Sequence, residues 1–243
     1  MPRFYCDHPL CVGPSTELPV ETARHALGAL RLREGDPVTL FNGDGAEYHG
    51  TLEQHGKGAA VRLTARIEPK RESNLHISLV QGISSGERMD LTLQKSVELG
   101  VAAIQPVFMR RSIVKLSGDK AEKRLRHWRG VVIAACEQCG RNVIPPVGEI
   151  QDFTSWLQQH QKQADAMQSY LLDPEAETGL RDLPRPTGRL VLLAGPEGGF
   201  DPIERKSAIA AGCLRVRLGP RILRTETAAL AAISAMQAVW GDF

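Results

Sequence analysis

The chain has 243 residues, a formal net charge of +2 and a hydrophobic fraction of 42%, with only 5% aromatic residues. This length predicts one large domain or a small domain beside a medium-sized one, and the small net charge excludes a chain that is basic throughout. No apolar stretch is long enough to cross a membrane, and none opens the sequence as a secretory signal would, so we expect a soluble, cytoplasmic protein.

The first 72 residues have the pattern of a small β-structure. A helical segment at residues 20–30 precedes three short strands, which we place at residues 37–41, 46–54 and 59–68. The turn at residues 42–45, Asn-Gly-Asp-Gly, predicts a hairpin because such turns need a positive φ. Short strands at this spacing are typical of a small barrel. The polar segment at residues 69–74 begins with Pro69, so we predict two domains, at residues 1–72 and 73–243.

Strands and helices alternate in the second part of the chain. We predict strands at residues 76–83, 103–108, 169–173, 189–195 and 214–219, and helices at residues 87–100, 119–139, 153–167, 202–212 and 226–240. In the first helix Met89, Leu93 and Val97 share one face, and Gly100 ends the helix. This alternation predicts an α/β domain whose mainly parallel sheet carries helices on both faces.

The five cysteines do not indicate a disulfide framework, because their number is odd and their spacing irregular. Cys136 and Cys139 form a C-x-x-C motif, but no second pair of zinc ligands has a matching spacing, so we predict no metal. A redox pair would normally open a helix just after a strand, whereas these two lie late in a predicted helix. We interpret them as thiols packed on that helix.

Positive charge is concentrated between Arg110 and Arg129, where eight lysines and arginines accompany two acidic residues. Such a surplus is what a protein needs to attract a polyanion. A solvated helix face has the same composition. The segment is therefore either a nucleic-acid footprint or an ordinary exposed surface.

Two glycine-rich loops follow strands of the second domain. They are residues 195–199, Gly-Pro-Glu-Gly-Gly, and residues 218–227, which lead into an apolar helix. Glycine lets the backbone approach a ligand, and parallel sheets bind ligands where their strands end. Neither loop matches the phosphate-loop or dinucleotide pattern. Because Ile222 and Leu223 are apolar, we expect a flat organic ligand. Thr225 or Thr227 is the predicted helix cap, with Glu226 near the positive helix end.

Four segments, two of which contain these loops, carry a family resemblance: LQKSVELGV (93–101), AACEQCGRN (134–142), LLAGPEGGF (192–200) and LGPRILRTETA (218–228). Together with residues 23–36, and in this order, they resemble the RsmE family, the small-subunit ribosomal RNA uridine-N3 methyltransferases of the SPOUT class. The resemblance covers nearly the whole chain. It implies a PUA-like RNA-binding β-barrel, an α/β domain tied in a deep trefoil knot, and a homodimer that binds S-adenosylmethionine at the knot near the subunit interface.

The resemblance also implies which residues bind S-adenosylmethionine. They lie at a strand end and in the two glycine-rich loops: Leu172, Leu193, Ala194, Gly195, Pro196, Glu197, Gly198, Gly199, Leu218, Gly219, Ile222, Leu223, Arg224, Thr225, Thr227 and Ala228. The residues expected to flank the adenine are Leu193, Leu218, Ile222 and Leu223. One position departs from the family, because Asp173 stands where relatives can carry a histidine. A role that depends on that histidine therefore cannot be assigned to this chain.

Uridine N3 carries a proton at neutral pH, so the reaction needs a proton acceptor or a group that stabilises the resulting anion. Arg224 and Arg141 are the candidates for stabilising the anion, and Glu197 or Glu226 for accepting the proton. Both carboxylates also have a structural interpretation, Glu226 as a charge at a helix terminus and Glu197 as an acceptor in a turn. Because N3 lies on the pairing edge, the uridine must be unpaired or extruded.

The partner implied is ribosomal RNA or an assembled small ribosomal subunit. The candidate RNA-binding residues are Arg3, Arg24, Lys95, Arg110, Arg111, Lys115, Arg129, Gln138 and Arg141. Lys95, Gln138 and Arg141 could equally be helix-surface residues. Two alternatives stay open: an enzyme of the same class that methylates a ribose 2′-hydroxyl or another base nitrogen, and a non-catalytic assembly factor that binds RNA.

Overall fold

The computed structural model describes residues 1–56, 58–162 and 167–243. These residues form two compact units. The first unit comprises Met1–Glu72 together with Cys136–Ile144, and the second comprises Ser73–Ala135 together with Pro145–Phe243. A short segment from the middle of the chain therefore belongs to the N-terminal unit.

The first unit is built on a five-stranded sheet with the order β1-β3-β4-β5-β2. Its strands are β1 (Arg3–Tyr5), β2 (Ser15–Glu17), β3 (Pro37–Phe41), β4 (Glu47–His55) and β5 (Gly58–Ile67). The predicted helix at residues 20–30 is α1 (Val20–Arg24) followed by a π-helical turn, His25–Ala29. The predicted hairpin is confirmed, because β3 and β4 pair antiparallel and Gly43 and Gly45 have φ values of 94° and 92°.

Glu47 is the centre of a buried ion cluster in the first unit. Its carboxylate accepts hydrogen bonds from Arg71 Nη1 at 2.5 Å and Arg3 Nη1 at 2.7 Å, and contacts His49 Nε2 at 3.0 Å. Burial alone would raise the pKa of Glu47, but these hydrogen bonds outweigh it and lower the pKa from 4.5 to about 2. Arg3 also donates to Asn142 Oδ1 at 2.5 Å, so the cluster fixes the inserted segment.

The second unit is an α/β domain with a six-stranded sheet of order β11-β9-β10-β6-β7-β8, and every pair of strands is parallel. The strands are β6 (Ile77–Gly82), β7 (Ala103–Phe108), β8 (Gln151–Asp152), β9 (Met167–Leu172), β10 (Arg189–Ala194) and β11 (Leu214–Val216). The helices are α2 (Gly86–Glu98), α3 (Asp119–Cys139), α4 (Phe153–Gln161), α5 (Pro202–Ala210) and α6 (Thr225–Trp240). The fold class predicted from the alternation is confirmed.

Helices cover both faces of this sheet. Val191 and Leu193 of β10 are buried in one apolar cluster with residues of α4 and α5. The alternate residues Leu190 and Leu192 are also fully buried, and on that face α6 packs against β10 and α2. Two helices begin at an aspartate whose carboxylate caps free backbone N–H groups: Asp152 caps α4 and Asp201 caps α5.

Several details of the predicted elements are settled by the structure. In α2 the apolar face is buried as predicted, and Gly100 has a φ of 81° just after the helix. The predicted helix at residues 153–167 ends earlier, at Gln161; residues 163–166 lie outside the described residues, and Met167 belongs to β9. The strands β1, β2 and β8 were not predicted. None of the helices in the described ranges has the length and apolar character needed to span a membrane.

The C-x-x-C cysteines are free thiols at the end of α3, as predicted. Cys136 is fully buried, and this burial raises the pKa of its thiol to about 12. Cys139 is half-buried. A thiol with so high a pKa is rarely ionised at neutral pH, which makes Cys136 a poor nucleophile.

Candidate functional site

A cavity of about 620 Å³ lies in the second unit, where β9, β10 and β11 end. Three segments line it: residues 172–175 after β9, residues 194–200 after β10, and residues 218–226 between β11 and α6. Open parallel sheets bind ligands at the carboxyl ends of their strands, because loops there leave backbone groups free. The volume lies within the range of small-molecule and cofactor sites.

Close backbone approach holds the loop at residues 195–199 against its neighbours. A Cβ on Gly82, at the end of β6, would lie 2.5 Å from both Cδ and the backbone nitrogen of Pro196. A Cβ on Gly198 would lie 2.9 Å from Cβ of Arg111, whose Nη1 donates to the Gly198 carbonyl at 3.1 Å. Glycine at these positions therefore lets the loop pack where a side chain would displace it.

The start of α6 differs from its predicted form. Arg224 is the N-cap residue, and no side chain caps the helix. Thr225 is the first helical residue, and its hydroxyl donates to the Gly195 carbonyl at 2.5 Å. The prediction that Thr225 or Thr227 caps the helix is wrong, because Thr225 binds the other loop instead. Glu226 lies in the first turn, where its charge is favourable.

Glu197 joins the same loop to the beginning of α2. Its Oε1 accepts hydrogen bonds from the backbone nitrogen and the hydroxyl of Ser85, both at 2.7 Å, and from Arg88 Nη1 at 3.2 Å. Burial would raise the pKa of Glu197, but these hydrogen bonds outweigh it and the pKa is lowered. Arg88 Nε also lies 4.0 Å from Glu226 Oε1, so one guanidinium faces two carboxylates at the cavity.

At the other side of the cavity, Asp173 organises the end of β9. Its Oδ2 accepts hydrogen bonds from Arg215 Nε at 2.7 Å and Arg205 Nη1 at 3.4 Å, and its Oδ1 accepts from the backbone nitrogen of Glu175 at 2.9 Å. Burial opposes ionisation, but these contacts outweigh it and lower the pKa of Asp173. The carboxylate therefore ties β9 to β11 and α5 at the cavity edge.

Most residues predicted to bind a cofactor lie together in this cavity. Those that line it are Leu172, Ala194, Gly195, Pro196, Glu197, Gly198, Gly199, Leu218, Gly219, Ile222, Leu223, Arg224, Thr225 and Ala228. Leu193 does not, because its side chain is fully buried in the cluster with α4 and α5. Thr227 is exposed on α6 outside the lining.

Of the four candidate catalytic residues, Arg224, Glu197 and Glu226 line the cavity. Arg141 does not; it belongs to the first unit, where it is buried and its Nη2 donates to Glu72 Oε2 at 2.5 Å. The structure brings the other three together because β10 and α6 meet at the same end of the sheet. Among the described residues, no group of three or more His, Cys, Asp or Glu side chains could hold a metal ion.

The candidate RNA-binding residues of the second unit differ in their environments. Arg110 and Lys115 are exposed. Arg111, which donates to the Gly198 carbonyl, also lines the cavity. Arg129 Nη2 donates to Glu149 at 2.8 Å, and Lys95 Nζ donates to Glu98 at 2.8 Å. Of these candidates, Arg110 and Lys115 are thus the two that are exposed and whose side chains have no carboxylate partner among the described residues.

In the first unit, Arg24 and Gln138 are exposed, and Arg24 is paired with Glu21 at 2.9 Å. The side chain of Arg3 is only 13% exposed and, like Arg141, is committed to a carboxylate. These two arginines therefore stabilise the unit, and a phosphate could reach them only by breaking an ion pair.

Several lining residues were not predicted for the cavity, among them Arg88, Asp173, Arg205 and Arg221. Arg88 reaches the cavity because β6 pairs with β10, which brings the start of α2 beside the loop after β10. Arg205 reaches it from the second turn of α5. No local pattern in the sequence gives the strand order on which these positions depend.

Comparisons with known proteins agree with this architecture. A family model described as an RNA methyltransferase domain matches residues 71–237, and one described as an RNA methyltransferase PUA domain matches residues 18–63. Ribosomal RNA small subunit methyltransferase E of Buchnera aphidicola (strain APS) is 31% identical over 100% of this chain and 95% of its own length. The Bacillus subtilis protein of the same name is 30% identical over 92% and 90%.

The comparison of structures gives the same result. A crystal structure of ribosomal RNA small subunit methyltransferase E from Neisseria gonorrhoeae, bound to S-adenosyl methionine, superposes with a TM-score of 0.92. The two sequences are 45% identical, and the match covers 100% of this chain and 99% of that one. Both units of the chain are therefore included in the likeness.

Proposed function

Because the chain belongs to the ribosomal RNA small subunit methyltransferase E family, we propose that it transfers a methyl group from S-adenosylmethionine to N3 of a uridine in 16S ribosomal RNA. The observation that carries this proposal is the cavity at the ends of β9, β10 and β11, which two glycine-rich loops form together. The related N. gonorrhoeae enzyme binds S-adenosyl methionine, and the names of the relatives specify small-subunit ribosomal RNA.

The residues around the cavity fit this cofactor. Leu218, Ile222 and Leu223 give it an apolar wall, and Ile222 as a residue is 86% exposed, so a flat ring would cover apolar surface that otherwise meets water. Glu197 and Glu226 supply negative charge, which suits a ligand with an ammonium and a sulfonium group. When bound, S-adenosylmethionine supplies an already activated methyl group.

The protein then has to position the uridine and deal with the proton on N3. Glu197 is committed to Ser85 and Arg88, which fits a structural role better than proton transfer. Glu226 is the proton acceptor in our proposal, because its carboxylate accepts no hydrogen bond in the part of the chain that the structure describes, and its one ionic contact, with Arg88 Nε, is as long as 4.0 Å. Arg224, exposed at the cavity, stabilises negative charge that spreads onto the uridine carbonyl oxygens.

The two units have different tasks in this proposal. The second unit, within residues 73–243, is the methyltransferase domain, with the trefoil knot that the family resemblance implies, and the first unit, residues 1–72 with the inserted Cys136–Ile144, is the RNA-binding domain, in line with the match to the PUA model. Arg110 and Lys115 contact phosphates, which fixes position without reading sequence. The enzyme works in the cytoplasm as a homodimer; light scattering of the purified protein tests the dimer.

The decisive experiment uses small subunits purified from a strain that lacks this protein. They are incubated with the enzyme and methyl-labelled S-adenosylmethionine, and the methylated nucleotide is then mapped and digested to nucleosides. We expect the label on the base of one uridine, at N3. A label that stays with the sugar after the glycosidic bond is broken would identify a ribose 2′-hydroxyl methyltransferase instead.

A non-catalytic RNA-binding factor makes a different prediction. Calorimetric titration of the protein with S-adenosylmethionine should release or absorb heat if the cavity is a cofactor site. No measurable binding, together with tight binding of ribosomal RNA, would contradict the enzymatic proposal. Naked ribosomal RNA, used in parallel with assembled subunits, identifies which of the two is the substrate.

A further inference from the structure

Gln81 joins three segments at the base of the cavity. It lies near the end of β6 and is fully buried. Its Nε2 has two hydrogens, which it donates to the Gly82 carbonyl at 2.9 Å and the Thr225 hydroxyl oxygen at 3.0 Å, and the Gly195 carbonyl at 3.3 Å shares one of them more weakly. One side-chain amide therefore connects the end of β6, the loop after β10 and the first residue of α6.

The direction of each hydrogen bond follows from the chemistry of the groups. A hydroxyl has one hydrogen, and that of Thr225 is used on the Gly195 carbonyl, 2.5 Å away. The Thr225 oxygen can then only accept from Gln81. Since both carbonyls are acceptors as well, the nitrogen of the Gln81 amide must face this group, and a carboxylate in its place would be repelled.

Stability alone does not explain a glutamine at this position. Its Oε1 is buried and has no hydrogen-bond partner within the described ranges, which costs free energy that an apolar side chain would not. Gln81 also does not line the cavity, whereas Gly195 and Thr225 do. Its amide therefore acts on the cavity only through those two residues.

We propose that Gln81 and Thr225 form a buried latch that holds the two cofactor loops at the spacing S-adenosylmethionine requires. The latch consists of the two donors, Gln81 Nε2 and the Thr225 hydroxyl, and of the Gly195 carbonyl that receives both. Gln81 is a positioning residue, because it acts through the loops that line the cavity. This inference rests on the proposed function, since it takes the cavity to be the cofactor site.

The test measures S-adenosylmethionine binding by calorimetry on the full chain, with the melting temperature of the cofactor-free protein as a second readout. Thr225→Val removes the hydroxyl at nearly constant volume, and we expect it to raise the Kd for S-adenosylmethionine about 5- to 30-fold. Thr225→Ser keeps the hydroxyl and should bind within about twofold of wild type. Gln81→Leu should weaken binding to a similar extent as Thr225→Val.

A matched control and a double variant separate the latch from a general loss of stability. Thr92→Val removes a buried hydroxyl from α2, where it donates to the Arg88 carbonyl at 2.8 Å, and should leave the Kd unchanged. Because Gln81 and Thr225 act on the same carbonyl, the double variant Gln81→Leu/Thr225→Val should lose less affinity than the product of the two single losses. If Gln81→Leu does not fold, Gln81→Asn, whose amide is too short to reach, replaces it.

The outcomes are distinct. If Thr225→Val and the Gln81 variant lower the melting temperature but bind S-adenosylmethionine as the wild type does, the latch is only structural and the inference is overturned. Equal losses in Thr225→Ser and Thr225→Val would overturn it too, because the hydroxyl would then be irrelevant. A wild-type protein that binds no S-adenosylmethionine would contradict the proposed function itself, whereas intact binding in wild type and variants contradicts only the latch.

Discussion

Replacing Gly82 with alanine should disturb the candidate cofactor site through a single methyl group. The new Cβ would lie 2.5 Å from Cδ and from the backbone nitrogen of Pro196, and 2.8 Å from Sδ of Met109. Met109 can move aside because its side chain is flexible. Pro196 cannot, because its ring is rigid and its backbone begins the loop after β10. To restore an ordinary contact, the loop must therefore shift by about 1 Å.

The expected size of the effect follows from this displacement. Overpacking a well-packed core costs about 1–3 kcal/mol, which lowers the melting temperature by about 2–4 °C for each kcal/mol in a domain of this size. A loop moved by about 1 Å holds its ligand out of place, and such a misplacement costs up to about 100-fold in kcat/KM. We therefore expect Gly82→Ala to lose activity more severely than stability.

The assay compares Gly82→Ala with Gly130→Ala by thermal unfolding, calorimetry with S-adenosylmethionine and methyl transfer. Gly130 lies within α3, and a Cβ there would have no atom within 4 Å, so its replacement should leave activity intact and stabilise the helix by about 0.5–1 kcal/mol. If Gly82→Ala bound S-adenosylmethionine with wild-type affinity and melted at the wild-type temperature, our account of the loop packing would be refuted.

Three further variants test other parts of the molecule. The pKa of Glu47 is lowered from 4.5 to about 2, so its charge contributes about 3 kcal/mol to the free energy of unfolding. This contribution is complete above pH 4.5 and is lost as the pH falls towards 2. In denaturant titrations, Glu47→Gln should therefore lower the free energy of unfolding at pH 7 and make it depend less on pH between pH 5 and 2. Neutralising Arg110 and Lys115 together should reduce the slope of log K for RNA against log salt by about 2, and an unchanged slope would remove both from the interface. Glu226→Gln should lower kcat by about 100- to 10,000-fold, a larger effect than the loss of its negative charge has on cofactor affinity; a retained kcat would leave Glu226 with an electrostatic role only.

The sequence predicts the longer elements well because their hydrophobic period is sustained over many residues. The predicted bounds of β3, β7 and α3 are those observed. The strands β1, β2 and β8 have two or three residues, too few to show an alternation, and they exist because partner strands supply their hydrogen bonds. β1, for example, pairs in parallel with β3, more than thirty residues later in the chain.

The segment Cys136–Ile144 could not be assigned to the first unit from the sequence. Its place there depends on hydrogen bonds between residues more than 130 positions apart: Arg3 donates to the Gly140 carbonyl, and the backbone nitrogen of Tyr5 donates to Glu137 Oε1. A helix pattern continues through Cys139 without interruption, so local periodicity indicates one element in one domain. Only the long-range contacts reveal that the end of this helix belongs elsewhere.

The two loops of the site were predictable because glycine and proline mark close backbone approach directly in the sequence. The side chains that complete the site were not, since Arg88 and Asp173 lie on elements whose neighbours are set by the strand order. Leu193 was predicted to flank the adenine, but it does not line the cavity. It adjoins a loop residue, but alternation along β10 directs its side chain into the core on the α4 and α5 side.

The arrangement of charges around Arg88 bears on which carboxylate can accept a proton. A general base works best when its pKa lies near the operating pH. Glu197 receives three hydrogen bonds on one oxygen and its pKa is lowered, so it is a stable anion and a weak base. That anion holds the start of α2 and keeps Arg88 within 4.0 Å of Glu226. Removing Glu197 should therefore act by releasing Ser85 and Arg88, whereas removing Glu226 should act on the chemical step. The two losses should differ accordingly, Glu197→Gln in the cofactor KM and Glu226→Gln in kcat.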